Sequence, residues 1–142
     1  MGMVSKSRLV GIVDDEQDII KLFHDALGVI NGITIFTFTD PVMALEHFTI
    51  NKEKYVLVIS DLRMPGLNGL ELIMKLKNVN PFVRTILMTA FEINDKLFQG
   101  YLKKEIINGF LQKPIRLVNL QEEVNNQLHT YELQKQKSLI KI

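Results

Sequence analysis

Apolar and polar positions along this chain switch repeatedly between two periods. The first apolar run, Leu9-Val10-Gly11-Ile12-Val13, is short and continuous, the pattern of a strand buried on both faces. Ile19, Ile20, Phe23 and Leu27 then recur at helical spacing, and Gly28 closes that segment. A β-branched stretch over residues 33–38 predicts a second strand. Asp40-Pro41 opens a helix, with Asp as N-cap, Pro in the first turn, and Ala44, Leu45 and Phe48 facing inward. The third strand is Tyr55-Val56-Leu57-Val58-Ile59-Ser60, and Leu70, Ile73, Met74 and Leu76 mark a third helix. Asn80-Pro81 breaks the chain before a fourth strand over residues 84–88. A weaker helical pattern over residues 94–103 carries Leu97, Tyr101 and Leu102, and a short fifth strand covers residues 109–111. Pro114 opens a last helix with Leu117, Leu120, Val124, Leu128 and Tyr131 as its apolar stripe.

Five strand–helix units imply an α/β fold, a doubly wound five-stranded parallel sheet with helices on both faces. At 142 residues the chain predicts one domain, over residues 8–131, after a flexible N-terminus of residues 1–7. Residues 132–142 are polar and Lys/Gln-rich, and either continue the last helix or fray. Composition narrows the function classes. There is no cysteine, which excludes disulfides, thiolate metal sites and thiol catalysis. A net charge of +1 gives no bulk argument for binding nucleic acid or an anionic membrane. No stretch is long and apolar enough to span a bilayer, and no signal-peptide h-region opens the chain, so a cytoplasmic protein is the expectation.

The strand ends carry the chemistry. Asp14-Asp15-Glu16 follows the first strand, Asp61 the third, Thr89 the fourth, and Lys113-Pro114 the fifth. In a parallel sheet these ends share one edge, and ligands bind where neighbouring strands diverge. If strands one and three are neighbours there, Asp14, Asp15 and Asp61 converge. Three carboxylates close together ionise cheaply only beside a cation. Magnesium suits such a site, because it binds through one or two carboxylates, waters and a phosphate oxygen. Asp61 can then act as a nucleophile toward phosphorus. Mg²⁺, the Lys113 ammonium and the Thr89 hydroxyl can neutralise the phosphoryl oxygens, and the Arg63 carbonyl can complete the metal shell.

Four motifs carry a family resemblance. They are Val13-Asp14-Asp15, Ser60-Asp61-Leu62-Arg63-Met64-Pro65-Gly66-Leu67-Asn68-Gly69, Met88-Thr89-Ala90 and Gln112-Lys113-Pro114, spread over the chain from Arg8 to Thr130. Together, in this order, they resemble the receiver domains of two-component response regulators. The resemblance implies a flavodoxin-like (βα)5 fold with strand order 2-1-3-4-5. It implies Asp61 as phosphoacceptor, Mg²⁺ held by Asp14, Asp15, Asp61 and the Arg63 backbone carbonyl, and Lys113 contacting the phosphate. Thr89 and the aromatic Phe110 would form the switch: the hydroxyl moves inward on phosphorylation and the ring follows. The function implied is a signalling switch, not an enzyme beyond catalysing its own phosphorylation and slow dephosphorylation. Its donor would be a phosphohistidine on a sensor histidine kinase or histidine phosphotransfer protein. Its output would be an effector protein or a further domain of a longer regulator, with homodimerisation through helix four, strand five and helix five as an added possibility. Direct nucleic-acid and membrane binding are not expected.

Two departures from the family pattern lie between Thr89 and Lys113. That stretch is slightly long, and Glu105-Ile106-Ile107 stands where small residues are usual. Both a static and a moving Phe110 ring remain open, as do cis and trans Lys113-Pro114. Asp14 and Asp15 could also cap the first helix. His24, His47 and His129 are expected on helices, away from the acidic edge. Competing functions fare less well. A haloacid-dehalogenase-like phosphatase needs a second acid where Arg63 stands, and a flavodoxin-like cofactor binder needs a Ser, Thr or Gly loop where Asp14-Asp15-Glu16 stands. A receiver acting only as a non-phosphorylated interaction module would not need Asp61, Thr89 and Lys113 together.

Overall fold

A computed structural model describes residues 8–92 and 96–140. The elements are β1 (Leu9–Val13), α1 (Gln17–Leu27), β2 (Thr34–Phe38), α2 (Pro41–Ile50), β3 (Tyr55–Asp61), α3 (Gly69–Val79), β4 (Arg84–Thr89), α4 (Lys96–Lys103), β5 (Gly109–Gln112) and α5 (Leu117–Ile140). All strand pairs are parallel, in the order β2-β1-β3-β4-β5. The order reverses between β1 and β3, so their carboxyl ends lie side by side at the point where such sheets bind ligands.

Burial follows the apolar pattern. β1 and β3 are buried along their whole length, as continuous apolar runs require when helices cover both faces. Val10, Ile12, Leu57 and Ile59 pack with Phe23 and Leu27 of α1 and Leu120 and Val124 of α5. On the other face Val13 and Val58 meet Ala44, Phe48, Leu72 and Leu76 from α2 and α3. The Asp40 side chain caps α2 by accepting the Val42 N–H at 2.9 Å. Asn68 and Glu71 form a reciprocal capping box at α3.

The structure corrects several details of the sequence reading. Ile33 lies outside β2, while β3 and β4 each run one residue further than expected, through Asp61 and Thr89. Both are therefore the last residues of their strands, with Asp61 opposite Met88 and Thr89 opposite Gln112. In α3 the inward face includes Leu72, and Met74 is 42% exposed. In α4 the buried residue is Phe98, which packs with Ile73, Leu87 and Ile107, whereas Leu97 and Leu102 face solvent. The expected start of that helix, Asn94, lies outside the described residues, as does the segment 1–7. α5 begins at Leu117, after a cis Lys113-Pro114 bond, and continues to Ile140. Its continuation past Tyr131 contains no Gly or Pro and is tied back to the domain by Arg8 to Glu132 (3.4 Å) and Arg84 to Gln134 (3.2 Å).

Candidate functional site

The carboxyl edge of the sheet gathers the side chains singled out above. Asp14, Asp15 and Asp61 each offer a carboxylate oxygen, and these oxygens lie within 4.8 Å of one another. Lys113 reaches in from the end of β5, its Nζ 2.9 Å from Asp61 Oδ1 and 3.8 Å from Asp14 Oδ2. A cleft of about 430 Å³ opens over them, lined by Asp15, Asp61, Arg63, Thr89, Phe91 and Lys113 among others. The three histidines are not in its lining. His47 instead hydrogen-bonds the buried Tyr55 hydroxyl at 2.7 Å through Nδ1.

Burial sets the electrostatics. Asp14 is fully buried, and burial pushes its carboxyl up to about 6, opposed by the Glu16 N–H and reinforced by the charge of Asp61. Asp14 Oδ1 accepts that N–H at 2.9 Å, but Oδ2 has no hydrogen-bond partner. The N-cap of α1 is Glu16, without a side-chain cap bond, so neither Asp14 nor Asp15 caps the helix. Burial alone would lower the Lys113 ammonium. The hydrogen bond to Asp61 and the charges of Asp61, Asp14 and Glu16 outweigh it and raise the group above its ordinary value. An orphaned buried oxygen beside two further carboxylates is a donor set suited to a hard divalent cation.

Thr89 is buried, and its Oγ1 accepts the Phe91 N–H at 2.9 Å. Its carbonyl accepts the Lys113 N–H at 2.8 Å, which ties the ends of β4 and β5 together. The Arg63 side chain leaves the carboxylates and stacks on Phe91, with its guanidinium carbon 4.6 Å from the ring centre. Phe110 is not in the cleft. It is half-buried on β5, 5.5 Å from the Phe98 ring, and lines a separate hollow of about 330 Å³ between β5 and α5.

Sequence reasoning missed two supports of Asp61. The fully buried Ser60 hydroxyl donates to the Asp61 carbonyl at 2.9 Å. Gly69, the last residue of the motif that begins at Ser60, sits so close that a Cβ there would lie 2.0 Å from the same carbonyl oxygen. The run of Gly and Pro after Asp61 signalled a turn, but nothing in it signalled a return onto Asp61 itself.

Similarity to known proteins identifies a family. The family model described as the response regulator receiver domain matches residues 10–125. The DNA-binding transcriptional regulator NtrC of Escherichia coli (strain K12) is 31% identical over 128 residues, which is 90% of this chain and 26% of that protein. Sporulation initiation phosphotransferase F of Bacillus subtilis (strain 168) is 32% identical over 80 residues, 56% of this chain and 62% of that one. Among solved structures, a response regulator receiver domain protein from Clostridium thermocellum superposes with a TM-score of 0.77 at 25% identity, covering 89% of this chain and 98% of its own. The chain thus spans about a quarter of the length of the NtrC relatives it matches. Among the described residues no helix is long and apolar enough to cross a membrane. A parallel sheet in the order β2-β1-β3-β4-β5, an acidic carboxyl edge with a lysine against it, and a family match over most of the sequence lead to one assignment: this chain belongs to the receiver-domain family of two-component response regulators.

Proposed function

We propose that this receiver is a phosphorylation-dependent switch in which Asp61 takes a phosphoryl group from a phosphohistidine on a sensor histidine kinase or a phosphotransfer protein. The observation that carries the reading is the Lys113 ammonium 2.9 Å from Asp61 Oδ1, with the carboxylates of Asp14 and Asp15 alongside. An Asp61 carboxylate oxygen forms the new bond to phosphorus, and the P–N bond to the donor imidazole breaks, its electron pair staying on nitrogen. Asp14, Asp15, Asp61 and the Arg63 carbonyl would hold Mg²⁺, which when bound neutralises charge on the phosphoryl oxygens. Lys113 neutralises a second oxygen. Thr89 Oγ1 supplies a hydrogen bond to another by rotating away from the Phe91 N–H it now accepts. That rotation couples the site to the segment after β4, and the Phe110 ring beside Phe98 can take up the space released.

The output is a change in the face made by α4, β5 and α5, read by an effector or by a further domain. The second reading is favoured by the NtrC relatives, of which this chain covers 26%. Self-association through the same face is tested by comparing solution mass with and without beryllofluoride.

The test is intact-mass measurement after incubation with acetyl phosphate and Mg²⁺. One phosphate adduct should appear, vanish on hydroxylamine treatment, and be absent without Mg²⁺ and in Asp61→Asn. An adduct that survives in Asp61→Asn places the nucleophile elsewhere and overturns the reading.

The Arg63–Phe91 stack walls the cleft through which water must reach the acyl phosphate. Phe91→Ala is expected to speed loss of the phosphate by about three- to tenfold, the effect of admitting water to a site that excludes it. Decay of the adduct after removal of donor measures this, and an unchanged half-life removes the stack from any role in protecting it.

A further inference from the structure

β5 carries Phe110 and leads into Lys113, yet it has four residues and one strand neighbour, β4. The connection that delivers it is irregular, with Glu105 at a positive φ of 59° and Ile107 fully buried. A strand this short holds its register weakly by itself. A slip of one residue would exchange the faces of Phe110 and Leu111 and move Lys113 by roughly 3.3 Å, more than its contact with Asp61 tolerates.

The register is secured just before the strand, at Asn108. Its N–H donates to the Thr85 carbonyl at 2.9 Å, and its Oδ1 accepts the Thr85 N–H at 2.9 Å and the Lys77 ammonium at 2.8 Å. Its carbonyl accepts Gln127 Nε2 of α5 at 3.1 Å. The Thr85 hydroxyl donates to the Ile106 carbonyl at 2.7 Å, and Lys77 also donates to the Val83 carbonyl at 2.6 Å. One residue thus joins α3, β4, α5 and the entry to β5, its side chain holding Lys77 and Thr85 and its main-chain carbonyl holding Gln127. Lys77 is half-buried with neutral oxygens as partners, and that burial pulls its ammonium down to about 8. Placing a lysine there costs desolvation, which its two hydrogen bonds and the fixed geometry offset.

We propose that Asn108, held by Lys77, is a positioning residue for phosphoryl transfer: it locks the register of β5 and thereby places Lys113 against Asp61. This rests on the reading that Lys113 contacts the phosphoryl group.

The experiment compares wild type, Asn108→Ala, Asn108→Asp and Lys77→Met, each assayed below its own unfolding temperature. Two readouts separate β5 from the rest of the site. Loading from acetyl phosphate depends on Lys113, whereas affinity for Mg²⁺ alone depends on residues at the ends of β1 and β3. Asn108→Ala should slow loading by about ten- to a hundredfold, the usual consequence of displacing a reacting group by an ångström or more. Its Mg²⁺ affinity should hold or rise and should not fall, because withdrawing the Lys113 ammonium from Asp61 and Asp14 removes a positive charge that competes with the cation. Asn108→Asp keeps the Oδ acceptors used by Thr85 and Lys77 and should load like wild type. Lys77→Met should lose about three- to tenfold in loading, and it carries the same test if Asn108→Ala fails to fold. Wild-type loading in either Asn108→Ala or Lys77→Met overturns the proposal. So does a parallel loss of Mg²⁺ affinity, or an Asn108→Asp protein as slow as Asn108→Ala. If wild type itself takes no phosphate, the proposed function fails instead. The register lock is then judged by amide exchange, which should accelerate at Phe110 and Leu111 in Asn108→Ala and which overturns the lock if unchanged.

Discussion

Gly69→Ala should lower the free energy of unfolding by about 2–4 kcal/mol and slow the loading of Asp61 by more than about tenfold. Gly69 is the first residue of α3, and its N–H donates to the Leu62 carbonyl at 2.8 Å. A Cβ there would stand 2.0 Å from the Asp61 carbonyl oxygen, 2.8 Å from its carbon and 3.0 Å from Leu62 Cα. All three are backbone atoms, so no side-chain rotation can relieve the overlap. Either α3 lifts from the sheet edge or the end of β3 retreats, and both displace the Asp61 carboxylate from Lys113. The Leu62 N–H, which donates to the Met88 carbonyl of β4 at 2.9 Å, resists the second movement. Gly66 provides the internal comparison. Its φ of +83° favours glycine, but a Cβ there meets nothing within 4 Å. Gly66→Ala should therefore destabilise by only about 1 kcal/mol and leave loading near wild type. Urea melts and acetyl phosphate kinetics on the two variants decide the matter. Equal behaviour of the pair, or a Gly69→Ala protein of wild-type stability, would show that the close approach is not a constraint.

The contrast between these glycines marks how far the sequence could be read. Pro65, Gly66 and Gly69 mark a change of chain direction in the sequence; residues 65–67 bend the chain, while Gly69 opens α3. That one glycine serves backbone conformation and the other serves close approach depends on which atoms lie opposite, and local pattern carries no such information. The strand–helix alternation was legible because β1 and β3 are continuous apolar runs and β2 is β-branched, with Pro, Gly, Asn or Asp in most of the connections. The convergence of Asp14, Asp15, Asp61 and Lys113 was legible because parallel strands deliver all their carboxyl ends to one edge. α4 was only partly legible: Tyr101 packs inward, but Leu97 and Leu102 do not, because eight residues with Leu97, Phe98, Tyr101 and Leu102 fit more than one helical phase. Packing against Ile73 and Leu87, distant in sequence, selects Phe98. The Lys77–Asn108 contact spans 31 residues between polar side chains and leaves no periodic trace. The continuation of α5 to Ile140 was open in sequence because its polar residues suit a solvated helix and a frayed tail alike.

The second large effect concerns Asp14 and reverses the usual expectation for removing a site carboxylate. Without Mg²⁺, Asp14→Asn should be more stable than wild type at pH 7.5 by about 1–3 kcal/mol, a shift of about 3–10 °C in Tm. Burial lifts the Asp14 carboxyl from the ordinary 3.8 to about 6. The folded protein therefore holds this proton more tightly than the unfolded chain does. Its stabilising contribution is complete below pH 3.8 and disappears as pH rises through about 6. At pH 7.5 the folded state carries a buried charge whose Oδ2 lacks a hydrogen bond, with Lys113 3.8 Å away. An amide removes that charge, so the gap between variant and wild type should open between pH 4 and 7 and close again near pH 4. Under the proposed function, Mg²⁺ should act on wild type in the opposite sense, since a divalent cation held by Asp14 would neutralise the charge that burial opposes. Added Mg²⁺ should raise the wild-type Tm at pH 7.5, less so at pH 5, where the proton competes for Asp14, and should leave Asp14→Asn nearly unchanged. Thermal melts of both proteins at pH 4, 5 and 7.5, with and without Mg²⁺, give all the comparisons. A wild type more stable than Asp14→Asn at pH 7.5 without metal would mean that Lys113 already compensates the buried carboxylate. The site would then hold its charge by an internal ion pair and would not depend on a cation from solution.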